Sequence, residues 1–332
     1  TVLMPREGIM KERNESLDCL KGIAILLVMF GHVQVHNQMT DPYLYDVIKS
    51  LQMPLFFLIS GYLAGSGTKI QNIRQYAGRM KKRAVSYLLP FFAWLALQHL
   101  TNIPEALRTV LFQLDYGLWF LMVLFLFTWL AYTAQLAEAE TGREAAFWAV
   151  WLAGCALVLA VYLTGAAFLS PSILVTYLPY YMAAYAAGRH PEILGRVPVR
   201  QQRVYAYTGG VIFLGMAVCL DLVTVTGAVM LGVQTLASFL GCLAVIRLAE
   251  DWRSGRIKRG LAWLGKYTLE IYVIHYHFAA ALKPEGYSFT FWSGEGILYS
   301  AAAFVFMSAV TAALVYVIGK IPPLKFLLFG KK

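Results

Sequence analysis

The sequence predicts an all-α protein: a polytopic membrane helical bundle of about ten transmembrane helices, both termini cytoplasmic. Three observations predict it. The first is composition. The 332 residues are 59% hydrophobic and only 14% charged, with mean hydropathy +0.60. Soluble domains are nearer half apolar and a quarter charged, so this much apolar surface cannot be hidden from water. A soluble globular protein, a disordered chain and a disulfide-rich secreted module are thereby excluded. The second is the recurrence of apolar runs of about 20 residues, the length that crosses a bilayer core. The third is charge partition. With the N-terminus inside, 23 of the 28 Lys and Arg fall in inside segments. Only Lys49, Arg108 and Lys283 fall outside, and Lys21 and Lys266 lie at helix ends. That is the positive-inside pattern, and it also accounts for the net charge of +10. No basic folding module lies between the apolar runs, so no nucleic-acid partner is expected. Membrane lipids are the expected surroundings, in the cell inner (plasma) membrane, and residues 1–332 are expected to form a single transmembrane domain.

The first apolar run covers roughly 17–36. It is followed by His and Gln with no A-x-A cleavage pattern, so a retained helix is expected and not a signal peptide. Lys21 and His32 are eleven residues apart. At about 100° per residue they share one stripe of a helix, about 16 Å apart along its axis. Asp18, three before Lys21, can pair with it. An ionisable side chain this deep in a span is costly and faces a cavity or a partner, and imidazole is the side chain best suited to take a proton near neutral pH. The alternative is a His hydrogen-bonded in the bundle core, aiding helix association. His36, four after His32, makes half of a zinc-like pair, but no H-E-x-x-H is present and no metal is expected.

The second run, roughly 43–65, contains Pro54, which should kink it, and Ser60-Gly61, a packing notch or a place where backbone meets substrate. A basic connector over about 66–83 ends in Arg79, Lys81, Lys82 and Arg83, ahead of Tyr87 and Pro90. These cations orient the chain or bind lipid headgroups, and one or two at a helix mouth could hold a phosphorylated cofactor. A third span follows at roughly 84–101, then a half-polar segment, 103–116, expected as a loop or re-entrant piece. Trp119 opens the fourth span, roughly 118–137, as an interfacial aromatic anchor. Spans at roughly 145–165 and 172–188 come next, then 204–222 and 224–246, joined around Asp221–Thr224 as a tight hairpin. The ninth, roughly 261–282, places Lys266 and Glu270 four apart and carries His275 and His277. Glu270 could orient or charge-balance a catalytic His from another helix. The tenth covers roughly 294–319. Cys19, Cys155, Cys219 and Cys242 have no C-x-x-C spacing and read as small packing residues.

Taken in order, Asp18-x-x-Lys21-x10-His32, Phe56-Phe57-x-x-Ser60-Gly61-Tyr62, the basic run before Pro90, Leu118-Trp119-Phe120-Leu121 and Leu264-Gly265-Lys266 through Tyr272 to His275 resemble the membrane acyltransferase-3 family over essentially the whole chain. The resemblance implies O-acylation, usually O-acetylation, of a sugar in a surface polysaccharide, lipid-linked glycan or small glycoside. The donor would be a cytoplasmic acyl-CoA such as acetyl-CoA. Lys21 matches the family's basic position, which places the donor, and His32 its essential His. Arg79, Lys82 and Arg83 match loosely the paired arginines ahead of the proline, although Tyr87 stands three before Pro90. Glu270 and His275 fall in the late motif.

The residues support the same chemistry. A catalytic pair of His32 and Glu270 is expected, with Asp18, Lys21, Ser60, Arg79, Lys82, Arg83, Trp119 and His275 at the substrates. His32 would take the proton of a sugar hydroxyl as it attacks a thioester carbonyl. Ser60 is the one candidate for a covalent alternative. The competing readings are a transporter or flippase for a sugar-linked lipid and a non-catalytic member of a glycan-export assembly.

Overall fold

The computed structural model describes residues 14–39, 41–223, 227–283 and 290–331. Of the Lys and Arg assigned to inside segments, Arg6, Lys11, Arg13 and Lys332 lie outside the described residues, as does Thr224 in the expected hairpin turn. The described residues form helices joined by turns, with no strand among them. In order they form α1 (Glu15–His36), α2 (Pro42–Gly65), α3 (Ile73–Gln98), α4 (Ile103–Phe112), α5 (Trp119–Thr141), α6 (Glu144–Leu163) and α7 (Pro171–Arg189). They continue with α8 (Pro191–Gly195), α9 (Val199–Cys219), α10 (Ala228–Asp251), α11 (Arg256–Leu264), α12 (Thr268–Ile274), α13 (Gly294–Lys320) and α14 (Pro322–Phe329). Short 3-10 turns, Leu114–Tyr116 and His275–Phe278, precede α5 and follow α12.

Six of these helices, α1, α2, α5, α6, α10 and α13, are long and apolar enough to cross a membrane. Three sequence expectations are redrawn. The basic connector is largely helix: α3 begins at Ile73, capped by the Asn72 side chain, which accepts from the Gln75 amide at 2.9 Å. The 103–116 segment is the short helix α4 and a 3-10 turn, with Ala106 and Val110 buried on one face. The expected span over 261–282 is divided into α11, α12 and the 3-10 turn, because the chain breaks at Gly265 where it meets α1.

The chain forms two compact units. The first contains the described residues up to Ile59 together with His190–Tyr316. Its centre is α1, whose Cys19, Leu20, Ala24, Ile25, Val28, Met29 and Val33 are buried. Asn14 caps the helix, accepting from the amides of Ser16 and Leu17 at 3.0 and 3.2 Å. At its other end Asn37 donates to the carbonyls of Val33 and Ala279, both at 2.8 Å, and accepts from the Tyr299 hydroxyl at 2.7 Å. One carboxamide thus ties α1, the turn after α12, and α13. Backbones of α1 and α11 nearly touch: a Cβ on Gly22 would lie 2.1 Å from the Leu261 carbonyl oxygen, and one on Gly265 1.9 Å from that of Asp18. The ammonium of Lys258, itself buried, donates to Ser16 Oγ at 3.0 Å and to the carbonyls of Ala249 and Trp252 at 2.8 Å each. All three donors are thereby used. The hairpin of α9 and α10 is closed by Asp251, which accepts from Arg203 Nε and Nη2 at 2.9 Å each, from the Tyr207 hydroxyl at 3.1 Å and from Arg247.

The second unit contains Ser60–Arg189 and the described residues from Val317 onward. Its core is an aromatic stack: the ring of Trp151 lies 5.3 Å from Phe147 and 4.7 Å from Tyr185. Arg189 closes one end, donating to both Glu138 oxygens at 2.8 Å and lying 4.2 Å over the Phe147 ring. Lys69 joins the same carboxylate at 3.1 Å. The short α14 is fastened to α3 where Trp94 Nε1 donates to the Leu328 carbonyl at 3.0 Å. Of the cysteines, Cys19 and Cys242 are buried, Cys155 packs on Met182 and Cys219 is exposed.

Candidate active site

In the first unit the two ends of the α1 stripe are placed as their spacing requires. At the N-terminal end Lys21 Nζ meets Asp18 Oδ1 at 3.3 Å, with the Asp18 side chain 5% and the Lys21 side chain 24% exposed. The late Leu264-Gly265-Lys266 motif packs here, since the missing Cβ of Gly265 is what lets the Asp18 carbonyl approach. Lys266 itself is exposed in the turn before α12, whereas Glu270 is buried inside α12, so the two do not share a helix face as expected.

Three turns along α1, His32 is half-buried. Its ring lies 5.2 Å from that of His275 at 65°, edge to face, and 5.4 Å from that of His36, stacked at 24°. Tyr276 completes the surround at 6.2 Å. His32 forms no hydrogen bond with any described residue. His275 is fully buried, and its Nδ1 lies 2.8 Å from the Ile271 carbonyl oxygen. His36 is exposed. Among the described residues no three His, Cys, Asp or Glu side chains converge as metal ligands, and the zinc-like spacing of His32 and His36 gains no third donor.

The second unit holds the basic run before Pro90. Arg83 on α3 donates from Nε to the Tyr132 hydroxyl at 3.2 Å and from Nη1 to the Tyr87 hydroxyl at 3.1 Å. Its partners are neutral, and it forms no ion pair among the described residues. A half-buried guanidinium held by two phenols, with no carboxylate partner among the described residues, has the chemistry to receive an anion. Tyr87, the departure from the family's arginine spacing, helps to position Arg83. Arg79 is engaged elsewhere: it donates to the Thr68 carbonyl and hydroxyl and to the Lys69 carbonyl, holding the turn before α3. Lys82 is exposed. Gly61 serves packing, because a Cβ there would lie 2.3 Å from the Tyr181 carbonyl oxygen, and Ser60 beside it is half-buried. Trp119 stacks on Tyr177 with ring centroids 5.1 Å apart at 28°.

Sequence reasoning missed Tyr132, Asn37 and Lys258. Tyr132 has no local signal, since only the packing of α3 on α5 brings it to Arg83. Asn37, a polar residue directly after an apolar run, carried the signal of a helix C-cap.

Six membrane-length helices, with one imidazole on the apolar α1 set against another in the turn after α12, define a helical protein of the multi-pass membrane class. The chain belongs to the acyltransferase-3 family: this family, described as an acyltransferase domain, matches residues 14–320. It is also similar to nodulation protein NolL of Sinorhizobium fredii, 38% identical over 92 residues, covering 26% of this chain and 24% of that protein. NolL of Mesorhizobium japonicum is 30% identical over 159 residues, 46% of this chain and 36% of that protein. The chain thus matches about a quarter to a third of the length of these relatives. No solved structure matches.

Proposed function

We propose that this protein is an integral membrane O-acyltransferase. It moves an acyl group, by default acetyl, from cytoplasmic acyl-CoA to a hydroxyl of a sugar in a surface glycan, lipid-linked glycan or glycoside. The observation that carries this reading is His32: a half-buried imidazole in an apolar helix, backed by a buried second imidazole and with neither nitrogen hydrogen-bonded among the described residues. A sugar hydroxyl is a poor nucleophile. His32 takes its proton as the oxygen attacks the thioester carbonyl, and returns it to the departing thiolate. Among the described residues of the first unit no serine, threonine or cysteine is hydrogen-bonded to His32, and direct transfer is the simpler route. Glu270 balances the charge that His32 acquires, and Lys21, steadied by Asp18, places the donor's anionic or thioester end. Arg83, with Lys82 beside it, meets the donor's phosphates. Trp119 offers an aromatic face to the sugar. The partition of Lys and Arg supports a multi-pass protein of the inner membrane with both termini cytoplasmic.

The test is transfer of labelled acetyl from acetyl-CoA to glycan by purified protein, wild type against His32→Ala. Loss of at least about 100-fold is expected for removal of a general base. Equal transfer by both forms overturns the assignment. Movement of a sugar-linked lipid across vesicles, with no acetyl transfer by wild type, establishes the transporter reading instead.

A further inference from the structure

His275 has two unlike nitrogens. Nδ1 lies 2.8 Å from the Ile271 carbonyl oxygen, one turn back on α12. A carbonyl only accepts, so Nδ1 carries the ring proton and Nε2 is a bare lone pair. The residue is 0% exposed, and Nε2 has no hydrogen-bond partner among the described residues. A buried acceptor without a donor is destabilising, and folds keep one where another state uses it. The ring facing His275 edge to face is that of His32, at 5.2 Å. The other rings at His32 do not serve as well. His36 is stacked on it and turns a π face to it, and Tyr276 is tilted at 6.2 Å.

We infer that His275 is a positioning residue for the transfer reaction, a tautomer-locked acceptor whose Nε2 takes the N–H of His32 once His32 has gained the acceptor's proton. The inference rests on His32 as base. In the step, the hydroxyl O–H bond breaks to His32, the O–C bond to the acyl carbon forms and the C–S bond breaks. The proton then passes from His32 to the thiolate. His275 neither gains nor loses a proton. It fixes which nitrogen of His32 faces the reacting atoms, and as a neutral acceptor it adds no second buried charge.

The test has a spectroscopic and a kinetic arm. In protein labelled with 15N-histidine, the His275 signals are those lost in His275→Gln. They are expected to report the Nδ1-protonated tautomer. An Nε2-protonated ring, or a rapidly exchanging mixture, overturns the inference. In turnover, His275→Gln keeps an acceptor oxygen near the Nε2 position and should stay within about 10-fold of wild-type kcat. His275→Asn reaches only the Ile271 carbonyl and should lose about 100-fold in kcat, with both KM values and thermal stability unchanged. Wild-type turnover by the Asn variant, or equal losses in both, overturns the inference. The tautomer measurement needs no turnover, so it stands apart from failure of the transferase reading, which the His32→Ala comparison decides.

Discussion

Gly265 sits so close to Asp18 that a Cβ would lie 1.9 Å from its carbonyl oxygen. Two motifs separated by most of the chain therefore meet backbone to backbone, and α12 starts from that contact on its way to His32. Gly265→Ala must push α11 off α1. The expected cost is about 1–3 kcal/mol, typical of overpacking, read as a lower unfolding temperature of the purified protein. Gly260→Ala is the control, because nothing lies within 4 Å of a Cβ there. It should cost nothing measurable or stabilise slightly through helix propensity.

Lys258 is the second fastening of the same contact. Its ammonium satisfies Ser16 Oγ and two carbonyls inside the first unit. Lys258→Met keeps the stem but leaves three acceptors without a donor, and about 1–3 kcal/mol of stability should be lost. Lys258→Arg should not restore it, because a planar fork cannot reproduce three converging donors in a space shaped for a compact ammonium. Thermal unfolding of the three forms decides this, and an Arg variant as stable as wild type would refute the geometric account.

Much of this was legible in the sequence, and the boundary is physical. The helical membrane class follows from composition, and the Asp18–Lys21 pair from helical spacing, because both are local properties. The His32–His275 contact joins positions far apart in the chain, and periodicity on either helix alone says nothing about it. The break at Gly265 looked like one apolar span, since hydropathy averages over a glycine whose role is to admit another backbone. The basic run illustrates the converse. Its charges are visible in the sequence, but that Arg79 holds a turn while Arg83 donates to two phenols depends on Thr68, Tyr87 and Tyr132.

That difference separates the two arginines by experiment. Arg83→Gln removes a charge that has no carboxylate partner among the described residues, so the donor's KM should rise about tenfold with kcat little changed, the signature of lost uniform binding. Tyr132→Phe should give a smaller shift in the same direction, since it frees the guanidinium without removing it. Arg79→Gln should lower stability by about 1 kcal/mol through the turn before α3 and leave the donor's KM unchanged. Steady-state kinetics with varied acyl-CoA check all three, and a larger KM effect at Arg79 than at Arg83 would reverse the assignment.

The aromatic pair of Trp119 and Tyr177 sits in the second unit at the start of α5, stacked at 5.1 Å. Sugars bind to indole through their apolar C–H faces, and such a contact depends on ring area more than on any hydrogen bond. Trp119→Phe keeps a ring on Tyr177 and should raise the acceptor's KM only about twofold, whereas Trp119→Ala removes the platform and should raise it about tenfold. Donor KM should stay constant in both, because no phosphate-binding group is touched. Varying acceptor and donor separately in labelled-acetyl assays distinguishes these outcomes. An Ala variant with unchanged acceptor KM would leave Trp119 as a membrane-interface anchor and place sugar recognition elsewhere in the chain.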